Sequence, residues 1–301
     1  MNNKDHISVC ICTYKRPDLL ARLLRELQNQ ETDNLFTYSI VVVDNDCNQS
    51  AKATVSSIQK KSSPDIEYHV EKEQNIALAR NKAVKSAKGN LIAFIDDDEF
   101  PVNNWISNLF KTLNDCQADG VLGPVKPYFE KEPPKWVVKG RLCERESHQT
   151  GLILKNHQDT RTGNVLLNKK LFQDKKNLFN PEFGRTGGED VDFFKRMIKK
   201  GHKFVWCDEA SVYELVPAER WKRIFMLRRA FLRGKVSFKS SSFNIFDIIK
   251  SVIAFPVYTL ALPFIFFTGH HRFMKYLIKD CDHIGKLLAA CGLNIIKERK
   301  S

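Results

Sequence analysis

The sequence predicts an α/β protein, a parallel sheet covered by helices, followed by a helical tail suited to a membrane surface. Three observations carry this reading. Over the first ~125 residues, apolar runs alternate with amphipathic segments, as in a sheet buried on both faces. Two of those runs end in acidic clusters, Asp44-Asn45-Asp46 and Asp96-Asp97-Asp98. Near the C-terminus a basic block precedes an uncharged apolar stretch.

The elements follow in order. Ile7–Cys12 and Tyr38–Val43 are β-rich runs. Between them Arg16-Pro17-Asp18 reads as a helix start with Pro in the first turn, and Leu19, Leu20, Leu23, Leu24 and Leu27 form its buried stripe. Ile66–Val70 is a third strand. A helix then carries Ile76, Ala77, Ala79, Arg80, Ala83, Val84 and Ala87 at helical spacing and closes at Gly89. Leu91–Ile95 is a fully apolar strand running straight into Asp96. A helix around Trp105–Leu113 and a strand around Gly120–Gly123 complete the repeat.

After Pro124 the pattern changes. Residues 125 to 160 are rich in Pro, Lys, Glu and His and read as a long loop or lid over a site. Regularity returns at Gly163–Leu167. Gly184–Glu189 reads as a glycine-rich turn, Asp190–Lys200 as a helix, Phe204–Trp206 as a strand and Ala218–Lys235 as a basic helix. Ser251–Gly269 holds no charge but contains Pro256 and Pro263, so it can span, re-enter or lie in the interface. The segment from Phe273 to Cys291 is amphipathic, suited to packing on protein or lying on lipid. These shifts divide the chain into an α/β domain over 1–217, a basic connector over 218–242 and a helical tail over 243–301.

Length and composition fit a globular protein with a substantial core: 301 residues, 43% hydrophobic and 28% charged. The net charge of +13 favours polyanionic partners. Between Arg220 and Lys239 eight basic residues occur with no acid, beside an apolar block, the pattern of a cytoplasmic membrane surface. Eight scattered cysteines show no paired zinc spacing, and Cys10 and Cys12 share one strand face, so they read as small buried hydrophobes. The first residues carry no apolar signal region, which places the chain in the cytoplasm with reduced thiols.

Three acidic groups carry the chemistry. Adjacent carboxylates after a buried strand repel one another unless solvated or paired with a cation, and Mg²⁺ or Mn²⁺ suits such oxygens. The simpler account of Asp96-Asp97-Asp98 is a solvated acidic turn. Asp44 and Asp46 can accept from a base or ribose, although as an isolated cluster they are better explained as a turn. In Gly187-Gly188-Glu189-Asp190 the acids suit a helix N-terminus, and beside a metal–diphosphate site such a carboxylate can take the proton of an acceptor hydroxyl. Arg80 either binds phosphate, braces the aspartates or makes a surface ion pair.

Taken together, Ile11 to Pro17, Val43 to Asp46, Asn75 to Asn81, Phe94 to Glu99 and Gly188 to Phe193 occur in the order seen in family 2 glycosyltransferases. The resemblance spans residues 7 to 235. Leu122-Gly123-Pro124-Val125 and Val212 to Pro217 further resemble a bacterial exopolysaccharide subgroup, that of a succinoglycan-chain glucosyltransferase. It implies a GT-A fold, a Rossmann-like mostly parallel sheet flanked by helices, with a membrane-associating C-terminal tail. It also implies a nucleotide-diphosphate sugar donor, most often UDP-linked, and inversion at the anomeric carbon. Thr13, Arg16, Asp44, Asp46, Arg80, Asp96 and Asp97 are then donor-binding residues, Asp96 and Asp98 hold the divalent metal, Asp190 is the base and Glu189 orients it or the acceptor. A phenol, Tyr213, stands where relatives often carry a histidine able to reach the metal. Arg220-Trp221 is preceded by Pro217 where processive synthases have glutamine, which implies addition of a single sugar.

The expected setting is the cytoplasmic face of the inner membrane, peripheral or with one short membrane segment, with a lipid-linked or polysaccharide acceptor and an anionic membrane surface as partners. A nucleotidyltransferase acting on sugar phosphates is the second enzyme class, but Thr13 to Pro17 lacks the glycine-rich phosphate loop it needs. A basic membrane- or nucleic-acid-binding protein without catalysis is the third. The acidic clusters oppose nucleic acid, and no recognition motif is present.

Overall fold

A computed structural model describes residues 4–59, 64–185, 187–239 and 245–293. Contacts divide the chain into two compact units, Met1–Lys126 with Arg145–Glu214, and Pro127–Glu144 with Leu215–Ser301. This division differs from the boundary read at 217, and the boundary at 242 lies outside the described residues. The 125–160 stretch is accordingly shared between the units rather than forming one loop.

The first unit opens with three strand–helix–strand steps: β1 (His6–Thr13), α1 (Pro17–Leu27), β2 (Thr37–Asp44), α2 (Lys52–Gln59), β3 (Ile66–Val70), α3 (Ile76–Ser86) and β4 (Leu91–Ile95). β5 (Glu99–Pro101), α4 (Trp105–Asp115), β6 (Gly120–Leu122) and β7 (Val125–Tyr128) follow. α5 (Lys135–Lys139) is a short helix of the second unit; the chain then returns to the first unit, where β8 (Asn164–Asn168), α6 (Glu189–Lys199), β9 (Phe204–Trp206) and β10 (Val212–Leu215) complete the strands.

Seven strands form one sheet in the order β3-β2-β1-β4-β8-β6-β9. Its pairs are parallel except those of β8, which runs antiparallel to both β4 and β6. Alternation along the strands splits the core in two. On β1, Ile7, Val9 and Ile11 face the cluster built with α1, α2 and α4, while Cys10 faces the cluster built with α3 and α6. Both faces are covered, which is why the central strands are apolar throughout. Cys10 and Cys12 pack on the same side, and all eight cysteines are free thiols. β5 pairs antiparallel with β10, a small sheet at the end of β4 that periodicity did not announce because β5 is only three residues long.

In the second unit a 3₁₀ turn over Ala218–Trp221 leads into α7 (Arg223–Lys239), then α8 (Ile245–Phe266) and α9 (His270–Ala290). Pro256 and Pro263, read from the sequence as interruptions, lie inside a continuous α8. A proline removes one backbone donor without dictating a stop. Contacts from α9 support the helix near each: Tyr258 meets Tyr276, Thr259 donates to Asp280 (3.0 Å) and Phe266 meets Phe273. Among the described helices, α8 alone has the length and apolarity to cross a membrane.

Candidate active site

Parallel register assembles the site. Thr13 stands opposite Asp44, and β4 runs beside β1 in the same direction. Thr13, Asp44 and Asp96 therefore leave the sheet at its carboxyl edge, where open α/β sheets place ligands.

The triple aspartate is not three equivalent acids. Asp97 is buried, accepting from Thr13 Oγ1 (2.8 Å) and Arg16 Nη1 (2.9 Å). Burial lifts its carboxyl to about 6, against the pull of Arg16 and Thr13. Its two oxygens thus tie the acidic turn to the β1–α1 loop. Arg16 also reaches Asp98 at 3.1 Å. Asp96 is the open member, with 46% of its side chain exposed and one oxygen 3.3 Å from Arg80.

Glu99 closes the turn from below. Its Oε2 accepts the Asp96 N–H (3.1 Å), and its own N–H donates to the Asp96 carbonyl (3.1 Å). Burial first, and Asp96 next, push its carboxyl well above the usual range. Gly163 fits against this pair because a Cβ there would stand 2.6 Å from Glu99 Oε1 and 3.1 Å from Asp96 Oδ2. Next to it, Asn164 accepts from Trp105 Nε1 (2.8 Å) and donates to the carbonyls of Pro124 (3.0 Å) and Ala210 (2.7 Å). Both residues fall in the regular run read at Gly163–Leu167, but spacing carries no sign of what they pack against.

Arg80 joins the acidic turn to the third acidic group. Asn75 caps α3, accepting from the N–H groups of Ala77 (3.0 Å) and Leu78 (3.2 Å). One turn later, buried Arg80 pairs with Glu189 and also reaches Asp96. Burial works against its charge, but Glu189, Asp96 and Asp190 more than restore it. Of the readings open to the sequence, bracing the acids is the one this geometry displays.

Gly187 and Gly188 have φ of +83° and +101°, a left-handed path that strains residues with a Cβ. That path starts α6 with Glu189 and Asp190 in its first turn. Glu189 is buried; Oε1 meets Arg80, while Oε2 has no hydrogen-bond partner among the described residues. Burial raises its carboxyl, Arg80 opposes this and Asp190 adds to it. Asp190 is half-buried and accepts the N–H of Val191 (2.8 Å).

Asp44, Asn45 and Asp46 are buried in a hydrogen-bonded turn. The Asp44 carboxylate accepts from the N–H groups of Asp46 (3.0 Å) and Ala51 (2.8 Å) and from the Tyr68 hydroxyl (2.8 Å). Asp46 accepts from the Asn48 N–H at 3.1 Å. These oxygens shape the loop first, as the turn reading of this cluster anticipated. Tyr213 on β10 faces Phe100 across the small sheet, its ring stacked at 5.5 Å.

Two arginines escaped the sequence analysis. Arg145 pairs with Glu214. Arg161 has no hydrogen bond or ion pair among the described residues. Burial and Arg145 lower its guanidinium, against the fields of Asp190, Glu99 and Glu214. An unspent cation beside those acids suits an anionic ligand group.

Among the described residues no group of three or more His, Cys, Asp or Glu side chains stands ready as a metal cage. Asp96 and Asp98 supply hard carboxylate oxygens. Mg²⁺ and Mn²⁺ commonly take one or two carboxylates and keep other positions for water and substrate phosphate. The donor set therefore fits a cation shared with substrate.

Comparison with known proteins gives the family and the fold. The sequence model of glycosyl transferase family 2 matches residues 8–175. The chain is 33% identical over 237 residues to the succinoglycan biosynthesis protein ExoM of Rhizobium meliloti (strain 1021), covering 78% of this chain and 74% of that one. It is 24% identical over 243 residues to the hyaluronan synthase of Pasteurella multocida, covering 70% of this chain but 24% of that much longer one. Two solved structures share the fold. TarS 1–349 of S. aureus in complex with UDP aligns with a TM-score of 0.52 at 15% identity, over 98% of this chain and 95% of that one. GalNAc-T7 with UDP, GalNAc and Mn²⁺ aligns with a TM-score of 0.56 at 15% identity, over 77% of this chain and 48% of that one.

Proposed function

The chain belongs to glycosyl transferase family 2, and from that premise we propose that it moves one sugar from a nucleotide-diphosphate donor, UDP-linked, to a hydroxyl of a lipid-linked or polysaccharide acceptor, with inversion. The observation that carries the reading is the Arg80 bridge. By pairing with both Asp96 and Glu189, it makes the end of β4 and the start of α6 one site.

The nucleotide lies at the carboxyl edge of β1 and β2, where Thr13, Arg16, Asp44 and Asp46 shape the pocket floor. Asp97 acts on the donor indirectly, by holding that floor to the acidic turn. Arg161 meets the diphosphate as a fixed positive charge. Asp96 and Asp98 would hold a divalent Mg²⁺ or Mn²⁺, which when bound offsets negative charge on the departing diphosphate. Asp190 takes the proton of the acceptor hydroxyl while that oxygen bonds to the anomeric carbon. The nucleotide diphosphate leaves from the opposite face, so the configuration inverts in one displacement. Glu189, tied to Arg80, fixes the turn that presents Asp190.

The chain works at the cytoplasmic face of the inner membrane. Residues 215 onward support this with sixteen Lys and Arg against five Asp and Glu. Pro217 in place of the synthase glutamine supports one addition per acceptor. The test is transfer from a panel of nucleotide sugars with Mg²⁺ or Mn²⁺. Asp190→Asn is expected to lower kcat by about 10²–10⁴-fold, the usual contribution of a general base, with donor affinity unchanged. Turnover like that of the unaltered enzyme would remove the base assignment.

A further inference from the structure

The second unit offers α8 to a membrane, and its packing limits how α8 can lie there. α9 runs parallel to α7, with Arg223 Nε donating to His270 (3.0 Å) near one end and Arg233 Nε to Asp282 (2.8 Å) near the other. A Cβ on Gly234 would overlap the carbonyl of Asp282, and one on Gly285 that of Phe231, so the two backbones are in close contact. α9 runs antiparallel to α8: Phe266 meets Phe273, Thr259 meets Asp280, and Ser251 meets His283 (3.0 Å).

These contacts share one register on α9. Arg223 and Phe266 meet it at 270–273, while Phe231 and Ser251 meet it at 283–285. The arginine-bearing stretch of α7 therefore runs level with nearly the whole apolar length of α8. If α8 stood across a bilayer, Arg228, Arg229, Lys279 and Asp282 would be drawn to hydrocarbon depth with it. Charges there are strongly disfavoured.

The outer face of α8 tells the other half. Phe246, Ile253, Val257, Leu260 and Phe264 are exposed at helical spacing, and Phe267, just past the helix end, is exposed as well. At the end of this stripe a 530 Å³ groove is lined by Ile265, Thr268, Arg272, Lys275, Tyr276 and Lys279. Apolar side chains on one face and cations at its edge match the acyl boundary and the phosphates of an anionic lipid layer.

We infer that α8 is an in-plane membrane anchor, lying along one leaflet with its apolar stripe in the acyl boundary and lipid phosphates in the Arg272–Lys275–Lys279 groove. This rests on the membrane location proposed above and specifies its geometry. The anchor enters one leaflet only, so both ends of α8 stay on the same side.

The full chain tests this in two measurements. The first is flotation with vesicles of phosphatidylcholine alone or with 30% phosphatidylglycerol. Binding is expected to rise at least tenfold with phosphatidylglycerol, to lose that preference in Lys275→Glu/Lys279→Glu and to fall with both vesicles in Leu260→Asp/Phe264→Asp. All four positions are exposed, and an unchanged melting transition of the second unit confirms that each variant is folded. No flotation with either vesicle would overturn the membrane location as well as the anchor. Equal binding to both vesicles would overturn the phosphate groove. The second measurement labels the exposed thiols Cys47 and Cys291 with an impermeant maleimide in sealed vesicles of each orientation, read by mass spectrometry. Labelling of both from one side is expected. Labelling from opposite sides would mean that α8 spans, overturning the in-plane anchor and leaving the location intact.

Discussion

Arg80 is the residue on which the two halves of the site depend. Its guanidinium is buried, and Glu189 beside it is buried as well. Removing one partner of such a pair leaves a charge without solvent or counter-ion, a cost of about 3–5 kcal/mol. Arg80→Gln is expected to lower stability by about that amount in chemical unfolding. Arg80→Gln/Glu189→Gln is expected to recover most of the loss, because neither charge is then stranded. Recovery of stability without recovery of turnover would separate the structural from the catalytic share of the bridge; equal losses in the single and double variants would remove the pairing argument. The acids were legible in the sequence because carboxylates after an apolar strand have few uses. The pairing of Arg80 with a partner 109 positions away was not, since no local rule links the end of one crossover to the start of another helix. Arg161 and Gly163 were hidden for a related reason: their meaning lies in what packs beside them.

Elements were legible where hydrophobic period was clean. β1 to β4 with α1 and α3 follow the sequence reading closely, because a strand buried on both faces must be apolar and a covering helix must show a stripe; α2 was not read, since Val55 is its one buried residue and it shows no such stripe. The direction of β8 was not readable, as an apolar run carries no sign of parallel or antiparallel pairing. Elements also set two further expectations. Gly285→Ala places a Cβ against the Phe231 carbonyl, and a helix backbone cannot yield as a side chain can. The overlap is expected to outweigh the roughly 1 kcal/mol that Ala brings to a helix interior. The melting transition of the second unit should fall while donor binding is kept; an unchanged transition would mean that α7 and α9 are less closely packed. At the start of β1, His6 bonds Thr37 Oγ1 (2.8 Å) and Ser39 Oγ (2.9 Å) on β2. Burial, and Lys88 next, lower its ring below the ordinary 6.5. Protonation therefore favours the unfolded chain, so this contribution to stability is present above pH 6.5 and lost as pH falls through the folded value. A His6→Gln chain should show a smaller drop in melting temperature between pH 7 and 5 than the unaltered one.

At the scale of the molecule, the basic excess and the candidate site fall in different stretches of the chain. Of the net +13, residues from 215 onward contribute +11, so the remainder of the chain is close to neutral. The basic excess was plain in the composition, and its nearness to an apolar run pointed to a membrane. What the sequence left open was how the apolar helix is used, because length and hydropathy are the same for a spanning helix and one lying flat; the in-plane proposal rests instead on the register of α7, α8 and α9. Separation of charge also makes the two halves of the reaction differ in their response to salt. Screening acts over about 10 Å at 0.1 M ionic strength and weakens attraction between exposed cations and an anionic surface. In the proposed reading, donor handling rests on the partly buried charges of the first unit, which salt screens much less. Raising salt from 0.05 to 0.5 M is therefore expected to slow transfer to an acceptor embedded in anionic vesicles several-fold. Hydrolysis of the nucleotide sugar in the absence of acceptor should change little over the same range. A parallel decline of both rates would place the salt-sensitive step at the donor site and remove the division of labour argued here.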